Sequence, residues 1–419
     1  LQERQVARSL ITHYTITHFP VPMRILYLTH NVTWKGGGAF FHAYHLARHL
    51  VRRGHEVTLL TISPKARTGF HQFEAAGVRI VETPDLLPGQ GRTGWDPWDV
   101  LQRIRFVSNE HYDIVHGLES RPAVALPALW LKITQGTPTI LDWADWYGRG
   151  GTASERGRII RTFMQPVETF CEETFYPWAD AVVAMGEPLL ERAAALGIQR
   201  QRMITLLNGC DPEGLTPYSV EEARSRLTTV PRGAFVLGYV GVMRATTAKL
   251  LFSALSLIKQ MIPQPVKVLC VGNHKLKDFW SFVPADCRED VIETGWIDYD
   301  DLNVYLSASD VMVLPFQRMI ATDNIWPSKL NDYLAVGRPT VATNMRILRP
   351  LFNAYDIGLL TEDTPLAFAQ GVVTMLLSPD VRARQSLSAR ALAEGELSWE
   401  HQAGQLEQFY IKLIGSRRA

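Results

Sequence analysis

Met23-Arg24-Ile25-Leu26-Tyr27-Leu28 is followed by the turn Thr33-Trp34-Lys35-Gly36-Gly37-Gly38-Ala39, then by Phe40, Ala43, Ala47 and Leu50, then by Gly54 and Val57-Thr58-Leu59-Leu60-Thr61-Ile62. The first run is short, apolar and bounded by turn residues, as a buried strand is. The spacing of the four apolar residues puts them on one face of a helix. Gly54 stands where a helix-ending glycine belongs. Strand, helix and strand in that order require a parallel sheet covered on both faces.

The alternation continues through strand candidates Val78–Val81, Ile114–His116, Thr139–Leu141, Ala181–Ala184 and Ile204–Leu207. It then restarts with Phe235–Val240, Val266–Val271, Val291–Thr294, Val311–Leu314, Thr340–Thr343 and Gly358–Leu360. The expected fold class is α/β: two tandem Rossmann-like doubly wound domains facing a cleft. The expected boundaries are an N-terminal tail over 1–22, a first domain over 23–215, a linker over 216–233, a second domain over 234–395 and a C-terminal helix in 396–419. Thr83–Pro97 reads as a long Gly/Pro-rich loop suited to a lid or an acceptor loop.

Composition narrows the classes of function. The 419 residues carry 43 basic and 42 acidic side chains, a formal charge of +1. Bulk nucleic-acid binding needs a basic surplus, so no nucleic-acid partner is expected. Cys171, Cys210, Cys270 and Cys287 are far apart, without metal-knuckle spacing, and suit a reducing cytosol. The apolar stretch from Ala123 to Ile133 contains Pro127 and Lys132 and falls short of the ~18 residues a spanning helix needs. Residues 1–22 lack a signal peptide's apolar core. A cytoplasmic location follows, with peripheral contact at the inner face of a membrane as an extension.

Ligands of open α/β sheets sit beyond the carboxyl ends of the strands, so the loops there decide function. In the first domain, Gly37 and Gly38 let a ligand approach the backbone at a helix start. The turn is neither a dinucleotide fingerprint nor a phosphate loop, which weakens a dehydrogenase reading. In the second, Gly241 is followed by Arg244 and Lys249 at a strand-to-helix junction, two cations fit to neutralise a diphosphate. Farther on, Asn324 precedes Pro327-Ser328-Lys329 and Asp332, with Gly337 closing the helix. Amide groups near Ser328 and Lys329 suit phosphate oxygens, and Asp332 suits ribose hydroxyls.

These residues resemble a retaining glycosyltransferase of the GT-B fold, in the large group 1 family that uses nucleotide sugars. The resemblance runs from Met23 to about Tyr410. Asp180-Ala181-Val182-Val183-Ala184 leading to Asn208-Gly209-Cys210-Asp211 resembles the family's mid-chain pattern. Leu334-Ala335-Val336-Gly337-Arg338-Pro339 resembles the end of its donor-binding helix. It implies diphosphate binding by Arg244 and Lys249, base packing near Gly295 and Trp296, and a last helix that crosses back to the first domain. The sequence departs from the family at Asn324, where Glu is common. It departs again at Leu118, where some members carry a second His after His116.

Transfer with retention of configuration is then expected, from a nucleotide-diphosphate sugar to a hydroxyl of a carbohydrate or lipid-linked acceptor, in polysaccharide or glycolipid assembly. Arg244, Lys249 and His116 are the catalytic candidates, and Glu119, Asp142, Asp145 and Trp146 the acceptor candidates. Carboxylates bond sugar hydroxyls and indole covers sugar C–H faces. No metal and no cofactor are required, the nucleotide sugar entering as co-substrate. Asp298-Tyr299-Asp300 reads as a helix cap rather than a metal motif. His42 and His45 lack an evident third ligand. Arg156, Arg158 and Arg161, interleaved with Ile159, Ile160, Phe163, Met164, Val167 and Phe170, read as an ordinary helix with its apolar stripe against the core. A membrane-surface role would instead fit a lipid-linked acceptor. The rivals are an epimerase of the same fold and a nucleotide-sugar-binding subunit without turnover.

Overall fold

The computed structural model describes residues 21–34, 38–65, 68–152, 156–274 and 276–418. The tail before Val21, and Gly37 among the donor-binding expectations, lie outside the described residues. The chain folds as two compact units: the described residues of 21–209 with 324–326 and 399–418, and those of 210–323 with 327–398.

The first unit is an eight-stranded sheet of β1 (Arg24–Val32), β2 (Glu56–Ile62), β3 (His71–Ala75), β4 (Val78–Thr83), β5 (Ile114–Leu118), β6 (Thr139–Trp143), β7 (Ala181–Ala184) and β8 (Met203–Thr205). Their order is β3-β4-β2-β1-β5-β6-β7-β8, parallel except for the antiparallel pair β3-β4. Its helices are α1 (Gly38–Arg52), α2 (Pro97–Ser108), α3 (Pro122–Gln135), α4 (Arg158–Trp178) and α5 (Glu187–Ala195).

The second unit is an all-parallel sheet of β9 (Phe235–Val240), β10 (Val266–Val271), β11 (Val291–Glu293), β12 (Val311–Leu314), β13 (Thr340–Thr343) and β14 (Gly358–Thr361), in the order β11-β10-β9-β12-β13-β14. Its helices are α6 (Val220–Arg226), α7 (Ala245–Met261), α8 (Tyr299–Ser307), α9 (Ile320–Asn324), α10 (Lys329–Ala335), α11 (Arg349–Ala354), α12 (Pro365–Leu376) and α13 (Pro379–Glu394). The chain closes with α14 (Trp399–Arg418).

Strand β3 escapes the sequence reading because it is polar and half-exposed, with a single apolar ring, Phe73, turned to the core. The signal for it is the two-residue hairpin Ala76-Gly77, both at positive φ (48° and 78°), the conformation a tight antiparallel turn demands. Residues 216–233 are not a free linker. Helix α6 packs on α8, and the buried Arg224 donates to Ala308 O (2.9 Å), Ala234 O (3.0 Å) and Asp310 (2.7 Å). The Thr83–Pro97 loop is pinned rather than lid-like. The Asp96 carboxylate accepts from Leu86 N, Leu87 N and Trp98 N, and Arg92 pairs with Asp85.

Helix α14 completes the first unit's core. Trp399, Leu406 and Tyr410 join the cluster under β1 and α1, each such side chain worth about 1.5–3 kcal/mol when removed from water. A polar clamp fixes its register on α1. The buried Glu407 accepts from Arg53 Nε and Nη2 (2.9 and 2.6 Å) and contacts His55 Nε2 (2.7 Å).

Helix α4 corrects the expectation of a core-facing apolar stripe. Glu168 and Glu172 are buried, while Ile159, Ile160, Phe163, Val167 and Phe170 are exposed. Arg156 pairs with Glu168 (3.0 Å) and Arg192 with Glu172 (3.5 Å), so the two inward carboxylates are compensated by cations. Among the described residues, no helix is long and apolar enough to cross a membrane.

Candidate functional site

In the second sheet the strand order reverses between β9 and β12. A crevice at the carboxyl ends of those strands is where such a sheet binds ligand. Three glycines stand at or near the carboxyl ends of β9, β10 and β11: Gly241, Gly272 and Gly295, with φ of 85°, 107° and 68°. Their backbones lie against one another. Gly241 N donates to Val271 O (2.8 Å) and Gly272 N to Gly295 O (3.0 Å). A Cβ on Gly272 would stand 3.3 Å from Gly241 Cα. Bare backbone therefore meets bare backbone here, a surface open to a flat or phosphorylated ligand.

Cationic charge gathers at this surface. Arg244 is exposed at the N-cap position of α7, and Lys249 is exposed one turn farther in. The Lys329 ammonium lies 3.9 Å from the centroid of the Tyr239 ring and 5.6 Å from that of Phe316. Burial lowers Lys329 to about 7, with Arg244 pushing the same way and Asp332 opposing. Asp332, one turn along α10, is raised by burial to about 7, with Lys329 opposing and Asp211 adding. Burial thus shifts both a cation and an acid towards neutrality at this surface, as is common for functional groups.

The remaining donor expectations are placed as follows. Gly38 is exposed at the first position of α1. Trp296 is 75% exposed beside Gly295. Asn324 is buried at the end of α9. Ser328 is exposed at the N-cap position of α10, where its helical backbone replaces the extended one of a capping residue, and it makes no side-chain cap bond. Gly337 ends α10 as expected, with φ 60° and its N–H on Leu334 O (3.0 Å). The sequence reading missed Tyr239 and Gly272. A glycine immediately after a buried strand was the available signal for Gly272, because Gly241 follows β9 in the same way.

In the first sheet the order reverses between β1 and β5. His116 was expected at a strand end facing ligand. It lies instead within β5, fully buried, stacked on Tyr27 with ring centroids 4.8 Å apart. Its Nδ1 is 2.5 Å from Tyr410 Oη, which is 3.0 Å from Tyr27 Oη. Asp142, also fully buried, lies 3.6 Å from His116 Nε2 and 2.9 Å from His42 Nε2. His42 Nδ1 faces Asn208 Oδ1 at 2.6 Å. Burial alone would raise the Asp142 carboxyl, but His42 and His116 hold it down, to about 2. Between them the two residues face each other and partners from three other elements of the unit, β1, α1 and α14. That placement suits positioning of the strand ends rather than contact with a substrate. His45 stacks on Trp399, with centroids 5.0 Å apart.

Just beyond, Glu119 adopts φ 74° and is buried, a strained conformation for a side-chain-bearing residue. Its carboxyl accepts from Asp145 N (3.1 Å). Burial and the neighbouring Asp145 push it well above the usual carboxylate range. Asp145 is half-buried and accepts from Tyr147 Oη (3.0 Å). Trp146 is half-buried, and the Arg192 guanidinium lies 4.5 Å from its ring centroid. Glu119, Asp145 and Trp146 are thus brought together at the β5 and β6 strand ends, while Asp142 lies deeper. Asp298 occupies the N-cap position of α8 without a side-chain cap bond. Among the described residues, no group of three or more His, Cys, Asp or Glu side chains is placed to hold a metal ion.

Two doubly wound units of this topology define the GT-B glycosyltransferase fold. Sucrose-phosphate synthase from Thermosynechococcus elongatus superposes with a TM-score of 0.74 at 18% identity, covering 94% of this chain and 100% of that one. Anabaena Alr3699/HepE, solved with UDP and glucose, gives 0.68 at 15% identity over 93% and 100%. WaaG, a glycosyltransferase involved in lipopolysaccharide biosynthesis, gives 0.69 at 13% over 92% and 99%. Residues 37–209 match the glycosyl transferase 4-like domain and residues 234–378 match glycosyl transferases group 1. The two matches take in most of the chain, and the chain belongs to this glycosyltransferase family. Bacillus subtilis (strain 168) TuaH, named for teichuronic acid biosynthesis and as a glycosyltransferase, is 25% identical over 218 residues, 51% of this chain. The chain spans about half the length of that relative, 53%.

Proposed function

We propose that this protein transfers a sugar from a nucleoside diphosphate sugar to an acceptor hydroxyl, with retention of configuration, in the assembly of a polysaccharide or glycolipid. The observation that carries the reading is the glycine-lined surface at the carboxyl ends of β9, β10 and β11, bordering the β9/β12 reversal, with Arg244 at the start of the helix that follows β9 and Lys329 set against aromatic rings. The departing diphosphate develops charge in the transition state, and fixed cations and amide dipoles at its position lower the barrier. A cation against Tyr239 and Phe316 acts through less water than one on an open surface, so its field is stronger. Lys249 adds charge at the start of α7. Asp332 faces the ribose in this reading, and Trp296 the base. On the acceptor side, Glu119 supplies a carboxyl that burial pushes upward and Asp145 an acceptor for sugar hydroxyls, with Asp142 and His116 holding the strand ends behind them. Family membership and the shared fold support the reading.

The test is a thermal-shift screen of uridine, guanosine and adenosine diphosphates, followed by incubation of the matching nucleotide sugars with and without acceptor glycans. Binding of the native state alone raises its melting temperature. Stabilisation by one diphosphate and acceptor-dependent release of that diphosphate are expected. Sugar interconversion without acceptor would identify an epimerase instead. Binding with neither transfer nor slow hydrolysis would identify a non-catalytic subunit, the outcome that the neutral Asn324 favours.

A further inference from the structure

Helix α4 is turned inside out. Its inward face carries Glu168 and Glu172 beside Cys171, Phe175 and Tyr176, all buried. Its outward face carries Ile159 (77% exposed), Ile160 (56%), Phe163 (72%), Val167 and Phe170 (61%). Those positions follow one another at helical spacing, so they form a continuous apolar stripe several turns long. A soluble helix exposing such a stripe marks an interaction surface rather than scattered surface hydrophobes.

The charge beside the stripe selects its partner. Arg158 and Arg161 are exposed on the same first turns. Residues 156–167 include no acidic side chain, and the first one after them, Glu168, is buried and paired with Arg156. The charged side chains on the outward surface of the amino-terminal half are therefore all cationic. Trp178, 58% exposed, closes the carboxyl end. Lys132 of α3 donates to Trp178 O (2.5 Å), which fixes α3 against that end. Cations with intervening large apolar side chains and a terminal indole are the composition of a helix lying in a lipid headgroup layer.

We propose that the outward face of α4 docks on an anionic lipid surface, with Ile159, Ile160, Phe163, Val167 and Phe170 entering the acyl boundary. Arg158 and Arg161 bind headgroup phosphates. This goes beyond the transfer reaction and does not depend on it, because docking is read without any nucleotide sugar. The buried glutamates stay inside, where Arg156 and Arg192 compensate them, so docking requires no refolding of the helix.

The test is co-sedimentation of the full chain with vesicles of phosphatidylglycerol and phosphatidylcholine in equal parts, and with vesicles of phosphatidylcholine alone. The parent protein is expected to bind the anionic vesicles, to bind the neutral ones far less, and to release as salt rises. Ile160→Glu with Phe163→Glu should weaken partitioning at least about tenfold, given roughly 0.8 kcal/mol per buried methylene. Arg158→Gln with Arg161→Gln should keep the residual neutral binding and lose the anionic preference. Thermal melting of each variant checks that these exposed changes leave the fold intact. Absence of parent binding to anionic vesicles, or unchanged binding of the Glu variant, would overturn the proposal. So would a parent that is dimeric by sedimentation, becomes monomeric in the Glu variant and binds no vesicles, which would make the face a contact between two copies.

Discussion

If Lys329 is the cation that receives the diphosphate, binding must be linked to proton uptake. Burial holds Lys329 at about 7, against an ordinary value near 10.5. A diphosphate beside it favours the ammonium form and returns the group towards its ordinary value. At pH 6 the ammonium is already present and binding takes up little. At pH 8 only about one tenth of the free protein carries it, so binding takes up about 0.9 proton, and at pH 9 only about one hundredth does. Affinity should therefore fall about tenfold per pH unit above 7, or about 1.4 kcal/mol per unit. Calorimetry of the diphosphate chosen by thermal shift, in two buffers of different ionisation heat, reads the uptake directly. The ligand's own last proton, with a pKa near about 6, is gone by then. Lys329→Met, which keeps the aliphatic contact with Tyr239, should bind weakly with a flat profile. Lys329→Arg should keep the charge and also flatten it. Constant affinity of the parent between pH 7.5 and 9, or a slope that survives in Lys329→Met, would refute the assignment. The sign for stability is separate. The unfolded chain binds the extra proton between about 7 and 10.5, so Lys329 makes the ligand-free protein more stable as pH rises through that window. Asp332 acts in the window below 7, where its raised value gives the native state the extra proton.

Other perturbations probe the frame around that group. Arg244→Ala with Lys249→Ala should abolish transfer while leaving cooperative melting intact, because both side chains are exposed, and full activity of the double variant would remove their proposed role. Gly272→Ala should cost about 1–3 kcal/mol of strain and also weaken diphosphate binding, since φ is 107° and the new methyl would press on Gly241; urea melts and calorimetry on one preparation separate the two effects. Glu407→Ala strands Arg53 and His55, just after α1, and should destabilise the first unit by about 3–5 kcal/mol at pH 7 in a urea titration. Arg53 and His55 hold the Glu407 carboxyl below its ordinary value in spite of its burial, so its contribution is present above pH 4.5 and lost as pH falls through the lowered value, and the gap between parent and variant should narrow in acid.

Where sequence and structure agree, the cause is local. Phe235–Val240, Val266–Val271, Val311–Leu314 and Thr340–Thr343 are strands at the expected residues because each is a short apolar run between turns, buried on both faces of a parallel sheet. Gly241 and Arg244 were legible for the same reason, standing directly after such a run. The polar edge strand at His71–Ala75 was not, since its stability comes from pairing with β4.

The sequence by itself determined two doubly wound sheets and the order of the residues that follow their strands. Tertiary structure alone decided which of those side chains are buried and by what. His116 and Asp142 read as strand-end residues, yet Tyr410, nearly three hundred positions from His116, encloses them. Lys329 reads as a donor-side residue at a helix start, but the rings of Tyr239 and Phe316 against its ammonium come from elsewhere in the chain. Helix α4 shows the physical reason most plainly. Periodicity states that a helix has two unlike faces. Which face the rest of the protein covers depends on neighbours distant in sequence, and here Arg192 makes it the one bearing the glutamates.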